Sequence, residues 1–222
     1  ATTPANNDEF VGPLPLSSLL DDANKKLLKF ISSKEGSYNA TNNGTTRDNQ
    51  ILNSIGGDSW VKKNKVTTSK QDNDQKLLST MTIGEIMDLQ KGHNPSRSPN
   101  ATNKRTLFAV GAYQIIPDTL KIALRDSDLT NSSVFTPENQ DKLGLALIYG
   151  TKRPRLRDYL LGKNSVTLNE AHNDFAEEWA SVPTPAGTTA YPETGNKAAH
   201  SAQEVQEILK EVRRLNIEAG KS

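Results

Sequence analysis

The sequence has no cysteine. Disulfides, thiolate nucleophiles and cysteine-ligated zinc are thereby excluded, and the fold does not depend on the redox state of its compartment. A dominant charge is missing too: 27 Lys and Arg stand against 26 Asp and Glu, a formal net charge of +1. No global field therefore draws the chain toward nucleic acid or an anionic membrane. No apolar run is long enough to span a bilayer, and the start Ala1–Glu9 lacks the basic stretch and apolar core of an export signal, so no membrane insertion is expected. His93, His172 and His200 are isolated, with no metal-ligand spacing, and neither a metal nor a cofactor is expected. Gly162-Lys163 is followed by Asn164 and lacks the spacing of a phosphate loop.

Aromatic residues make up 5% and hydrophobic residues 34% of the 222 positions. That share is low for a compact domain, and the surplus of Asn, Thr, Lys and Ser implies long polar loops. The length suits one elaborated domain. Residues 1–16, with three prolines, read as an arm or linker, and 17–222 as the domain. A chain beginning at Ala1 without an export signal is expected to be a processed protein or part of a larger one.

Periodicity predicts a helix from Ser17 or Ser18 to Glu35, with Leu20, Ala23, Leu27 and Ile31 as its stripe and Gly36 as its stop. From Ser37 to about Asp74 the composition predicts loops with at most short strands. Thr82-Ile83-Gly84-Glu85 has capping-box spacing and opens another helix, which gives Glu85 a structural task. Leu107–Gln114 reads as a short strand leading to a helix that begins at Pro117. Further helices start at Thr136-Pro137 and at Thr167-Leu168-Asn169-Glu170, the last running to Pro183 with Phe175, Trp179 and Val182 on one side. Residues 183–196 read as an exposed loop, and Ser201-Ala202-Gln203-Glu204 caps a final helix over about 201–219. The fold class is α+β, mostly helical, with a large helical lobe and a small β or loop lobe.

Glu35 is the most informative residue. It follows Ile31 by four and Leu27 by eight, so it falls on the apolar stripe at the negative end of its own helix. Burial and the helix dipole both disfavour the ionised form and push the pKa upward, as a proton donor at neutral pH requires. The bland reading is a frayed helix end with the carboxylate in water; periodicity alone gives the two equal weight. Gly111-Ala112-Tyr113-Gln114 is the second signal. Its glycine lets a ligand or another backbone come close, and Tyr113 and Gln114 offer hydrogen-bonding groups suited to a sugar. An ordinary tight turn with a half-buried tyrosine is the alternative.

Four segments then occur in order: Ser33-Lys34-Glu35-Gly36, Gly111-Ala112-Tyr113-Gln114-Ile115, Phe135-Thr136-Pro137-Glu138-Asn139-Gln140-Asp141, and Phe175-Ala176-Glu177-Glu178-Trp179-Ala180-Ser181-Val182-Pro183. Their succession resembles the phage lambda-type lysozymes over most of residues 18–185. The resemblance implies a lysozyme-like fold whose two lobes flank a cleft for alternating GlcNAc and MurNAc. It implies Glu35 as catalytic acid, Gly111, Tyr113 and Gln114 at the cleft, and the loops near 92–106 and 183–196 as its lips. Trp179, on a core stripe, is placed at the cleft floor by the same resemblance, and Gln90 is a further candidate to reach substrate. The turn here reads Gly-Ala-Tyr-Gln where the family has Gly-Arg-Tyr-Gln, so a basic contact to substrate is lost.

A second carboxylate decides the reaction. Asp48, ranked above Asp58 because it lies closer along the chain to Glu35, is a candidate to orient water for hydrolysis; both read more readily as solvated loop residues. Without one, the C6 hydroxyl of MurNAc attacks and a 1,6-anhydro product results, as in lytic transglycosylases. The expected biological role is peptidoglycan cleavage in the periplasm or on the outer wall of a target bacterium. The enzyme would be a phage endolysin, a virion-associated hydrolase or an antibacterial effector domain. It is expected to be a monomer whose partners are glycan strands and, for an effector, a cognate immunity or inhibitor protein. A glycan-binding module without turnover, and an assembly protein without glycan affinity, are the competing classes. Lys152, Arg153, Arg155 and Arg157 form a basic patch suited to acidic wall polymers, or simply a solvated face.

Overall fold

The computed structural model describes residues 15–42, 61–62, 65–67, 75–91 and 107–221. Among them the chain is mostly helical. The helices are α1 (Leu16–Leu19), α2 (Asp22–Glu35), α3 (Ile83–Lys91), α4 (Pro117–Arg125), α5 (Pro137–Tyr149), α6 (Pro154–Leu160), α7 (Leu168–Glu178) and α8 (Ala202–Glu218). The strands are β1 (Thr41–Asn42), β2 (Val61–Lys62), β3 (Lys65–Thr67), β4 (Gln75–Leu77) and β5 (Ala109–Val110). β2, β3 and β4 form a small antiparallel sheet in that order, and β1 pairs antiparallel with β5, Thr41 opposite Val110. No helix among the described residues is long and apolar enough to cross a membrane.

Local chemistry explains most boundaries. Thr167 and Ser201 each accept a hydrogen bond from the backbone three residues on, while Glu170 and Glu204 reach back, so both capping boxes form. Glu85 takes the Thr82 N–H at 3.0 Å and Thr82 Oγ1 takes the Glu85 N–H at 3.1 Å, which fixes the entry to α3. Pro117, Pro137 and Pro154 each stand in the first turn of a helix, where the missing N–H removes no bond.

Three expectations are corrected. The helix expected from residue 17 or 18 to 35 is two helices, because the Asp21 carboxylate accepts the Asn24 N–H at 3.1 Å and starts α2 afresh. Leu16, assigned to an arm, begins α1 and is buried; residues 1–14 lie outside the described ones. The helix expected to run to Pro183 ends at Glu178, since Trp179 turns to extended backbone (φ −124°, ψ 121°). α6 is an addition: seven residues were too few to show a periodic stripe through the charges of 152–157.

The core gathers around α5. Leu143, Leu145, Ala146, Leu147 and Ile148 are all buried, and α5 packs on α1, α2, α4 and α6. α8 closes the other side against α2, α6 and α7. A buried polar chain ties this closure. Tyr149 OH donates to Asn24 Oδ1 at 2.6 Å and accepts from Asn216 Nδ2 at 2.8 Å, while Lys221 pairs with Asp21.

Candidate functional site

Glu35 is the last residue of α2, and its stripe partner Ile31 is fully buried. The carboxylate follows that face and is partly buried. Ser181 meets it twice: the hydroxyl donates to Glu35 Oε1 at 2.5 Å and the backbone N–H at 3.3 Å. Among the described residues no cationic side chain lies within ion-pair distance of Glu35. Burial pushes its pKa above the ordinary 4.5, and the two Ser181 bonds pull the other way without cancelling the shift.

Ser181 reaches Glu35 because α7 stops early. Trp179, the first residue out of the helix, is buried, with its ring edge-on to Phe175 at 5.7 Å and its Nε1 donating to Tyr113 O at 3.1 Å. Phe175 in turn faces Phe30 of α2 at 6.2 Å, one and a half turns before Glu35. The chain bends at 179–182, with Val182 N bonded to Trp179 O, and carries Ser181 to the end of α2. The Ser181 carbonyl accepts the Ala199 and His200 N–H groups, so the loop from 182 to 198 is closed on the same residue. Tyr191 OH donates to Glu177 O and pins that loop again.

On its other side Glu35 is followed by Gly36, where the chain doubles back (Ala40 N to Ser37 O, 3.0 Å) and pairs with the 109–115 segment. A Cβ on Gly36 would stand 2.9 Å from the Ala40 Cβ and 3.2 Å from both Gln114 Nε2 and Gly111 O. Only glycine lets the Gly111–Gln114 turn come this close to the end of α2. In that turn Gly111 has φ 75° and Gln114 φ 45°; the second is a backbone conformation that costs a non-glycine residue about 1–3 kcal/mol. Gln114 Nε2 donates to Gly111 O at 2.8 Å and closes the turn on itself.

Two residues that carried no assigned role hold this arrangement. Gln140 Oε1 accepts the Ala112 N–H at 3.0 Å, and its Nε2 donates to Tyr38 O and Phe135 O, both at 2.9 Å. Asp141 Oδ1 accepts the hydroxyls of Tyr113 at 2.6 Å and Tyr38 at 2.9 Å. Burial first, then the Asp141 carboxylate, pushes the Tyr38 phenol up to about 12 and raises that of Tyr113 further. Gln140 and Asp141 close the third motif that the sequence singled out, and their order in the chain was the one available signal.

The residues expected at the ligand are placed as follows. What approaches Gly111 is the Gln140 side chain, whose Oε1 would lie 2.3 Å from an added Cβ; no ligand is needed to explain the glycine. Tyr113 is 2% exposed, its ring packed on Gly144 and its hydroxyl held by Asp141. Gln90 is 3% exposed and donates to Phe108 O and Ile115 O, bracing the strand behind the turn. Trp179 is 3% exposed and holds the Tyr113 carbonyl. These side chains frame the turn from behind, and within the turn Gln114 keeps partial exposure. Asp48, Asp58 and the 92–106 loop lie outside the described residues.

Within the basic patch Arg155 is exposed, while the other three side chains are paired. Lys152 and Arg153 bind Glu178 at 2.9 and 2.8 Å, Arg153 also binds Glu177 at 2.6 Å, and Arg157 pairs with Asp158 at 2.8 Å. A depression of about 420 Å³ between α6 and α8 is lined by Tyr159, Arg213, Arg214 and Ile217. It offers less chemistry than the Glu35 region despite its size. Arg213 caps the carbonyls at the end of α6, and Arg214 is paired with Glu211 and Glu218. Comparison with protein-family models, curated proteins and solved structures gave no match to this chain.

Proposed function

We propose that this chain is a peptidoglycan glycosidase of lysozyme type that cleaves the β-1,4 bond between MurNAc and GlcNAc, with Glu35 as general acid. The observation that carries the reading is the state of that carboxyl group. It is partly buried at the end of a helix, has no cation within ion-pair distance among the described residues, is held by Ser181, and is followed at once by Gly36, which packs on a tight, strained turn. A carboxyl group whose pKa is raised keeps its proton to higher pH, which is what a general acid requires. The four ordered segments supply the substrate class by their resemblance to lambda-type lysozymes, a resemblance of sequence alone.

In the reaction, Glu35 gives its proton to the glycosidic oxygen as the bond to the MurNAc anomeric carbon breaks. Charge builds on the sugar ring as an oxocarbenium-like centre. Capture by water completes hydrolysis. Capture by the MurNAc C6 hydroxyl gives the 1,6-anhydro sugar instead, with that hydroxyl's proton returning to the Glu35 carboxylate. Ser181 holds the carboxyl in one orientation throughout, and the Gly111–Gln114 turn, fixed from behind by Gln140, offers its partly exposed Gln114 to the glycan.

Clearing of purified sacculi tests the reading. The wild-type chain should clear them, and Glu35→Gln should bind them without clearing. Wild-type sacculi that stay turbid while the protein pellets with them would mean a binding module, and absence from the pellet an assembly protein. The mass of released muropeptides separates the two captures, the anhydro product being lighter by one water.

A further inference from the structure

Tyr38 is the aromatic residue nearest Glu35 along the chain on the side of the turn, three positions beyond it. It is partly buried: it packs against the core yet keeps solvent contact. Unlike an ordinary surface tyrosine it is held at two points by one helix start. Asp141 takes its hydroxyl at 2.9 Å, and Gln140 Nε2 donates to its carbonyl at 2.9 Å. The residues on either side are fixed as well. Asn39 Oδ1 accepts the Ser79 N–H at 2.9 Å, and Ala40 O accepts the Gly111 N–H at 2.8 Å.

Such a residue offers little hydrogen bonding to a ligand, because its hydroxyl is already donated. What it has left is a ring held in place. Holding a large side chain beforehand removes much of the entropy that ordering it on binding costs. A phenol donating to a carboxylate is also richer in π density on its face, which suits the weakly positive C–H groups on the apolar face of a pyranose.

We propose that Tyr38 forms a sugar subsite beside Glu35, its Asp141-anchored ring packing against the face of a pyranose in the glycan strand. This rests on the glycosidase reading and names a binding contact for it. Asp141 and Gln140 are positioning residues, acting through Tyr38 and through the turn.

The test uses the full chain carrying Glu35→Gln, so that turnover does not consume the ligand, and chitohexaose as the probe, with affinity from calorimetry. Tyr38→Ala should weaken binding about tenfold, while Tyr38→Phe, which keeps the ring and loses only its anchor, should weaken it about two- to threefold. In the parent, the Tyr38 ring protons should shift on titration. That measurement needs no substitution and so is independent of whether Tyr38→Ala folds. Binding by the parent with no ring shift, or with Tyr38→Ala equal to the parent, overturns the subsite and leaves the glycosidase reading standing. A parent that does not bind, from a wild-type chain that does not clear sacculi, overturns both.

Discussion

Glu35 and Glu178 are both the last residue of a helix, where the negative end of the dipole disfavours another negative charge, and both carboxylates are withdrawn from water. Glu178 has a side chain 2% exposed and is met by Lys152 and Arg153. Glu35 is met by a hydroxyl and a backbone N–H of Ser181, three residues after Glu178. The same residue type in the same helical position thus has two outcomes. Two cations balance the first and make it a structural fastening between α7 and the start of α6. The second has only neutral donors among the described residues, and burial leaves it inclined to hold a proton. What separates the two carboxylates here is the identity of the partner.

The sharpest way to break this comparison is to make both carboxylates amides. Glu35→Gln should lower the clearing rate by about 100- to 10,000-fold, the usual contribution of a positioned general acid, and leave thermal unfolding near that of wild type. Glu178→Gln should do the reverse. Lys152 and Arg153 lose their counter-charge, and the expected cost is about 2–3 kcal/mol, below that of a fully buried pair because both cations keep some water contact. Calorimetric unfolding should then fall by about 5–10 °C at little change in the pH profile of activity. If Glu178→Gln shifted that profile as strongly as Glu35→Gln lowers the rate, the two carboxylates would not differ as described.

A smaller effect concerns pH and stability. Because the folded-state pKa of Glu35 is raised, the protonated form favours the fold. Its contribution is fully present below about pH 4.5 and is lost as pH rises through the raised value. Unfolding of Glu35→Gln followed against pH should lack this segment of the wild-type curve. Identical curves would place the Glu35 carboxyl in water.

Much of the frame was legible in the residues. Capping boxes at Thr82, Thr167 and Ser201 announced three helices because their bonds are local, between positions three apart. Glu35 fell on a stripe for the same local reason. The fastenings were not legible, because they join positions far apart in the chain. Ser181 lies 146 positions from Glu35, Gln140 lies 102 from Tyr38, and Asn24 lies 125 from Tyr149. Gly111 was recognisable as a residue needing room, but the sequence could not tell that its neighbour is a glutamine side chain instead of a ligand. Arg153 was read as part of an exposed patch because its partners Glu177 and Glu178 are on another helix.

Ser181 offers the finest test of the comparison, because it stands where Lys152 and Arg153 stand for the other glutamate. Its hydroxyl and N–H both favour the ionised carboxylate, so they hold the Glu35 pKa down against the larger effect of burial. Ser181→Ala removes the hydroxyl and keeps the backbone donor. The pKa of Glu35 should rise further, and the high-pH limb of the activity profile, where the acid has lost its proton, should move toward alkaline pH. The rate at the optimum should fall only severalfold, through looser orientation of the carboxyl. Introducing a cation by Ser181→Lys should move the limb the opposite way, toward acid, as Glu35 comes to resemble Glu178. A limb that stayed in place in both variants would mean that the group titrating in the profile is not the carboxyl that Ser181 touches.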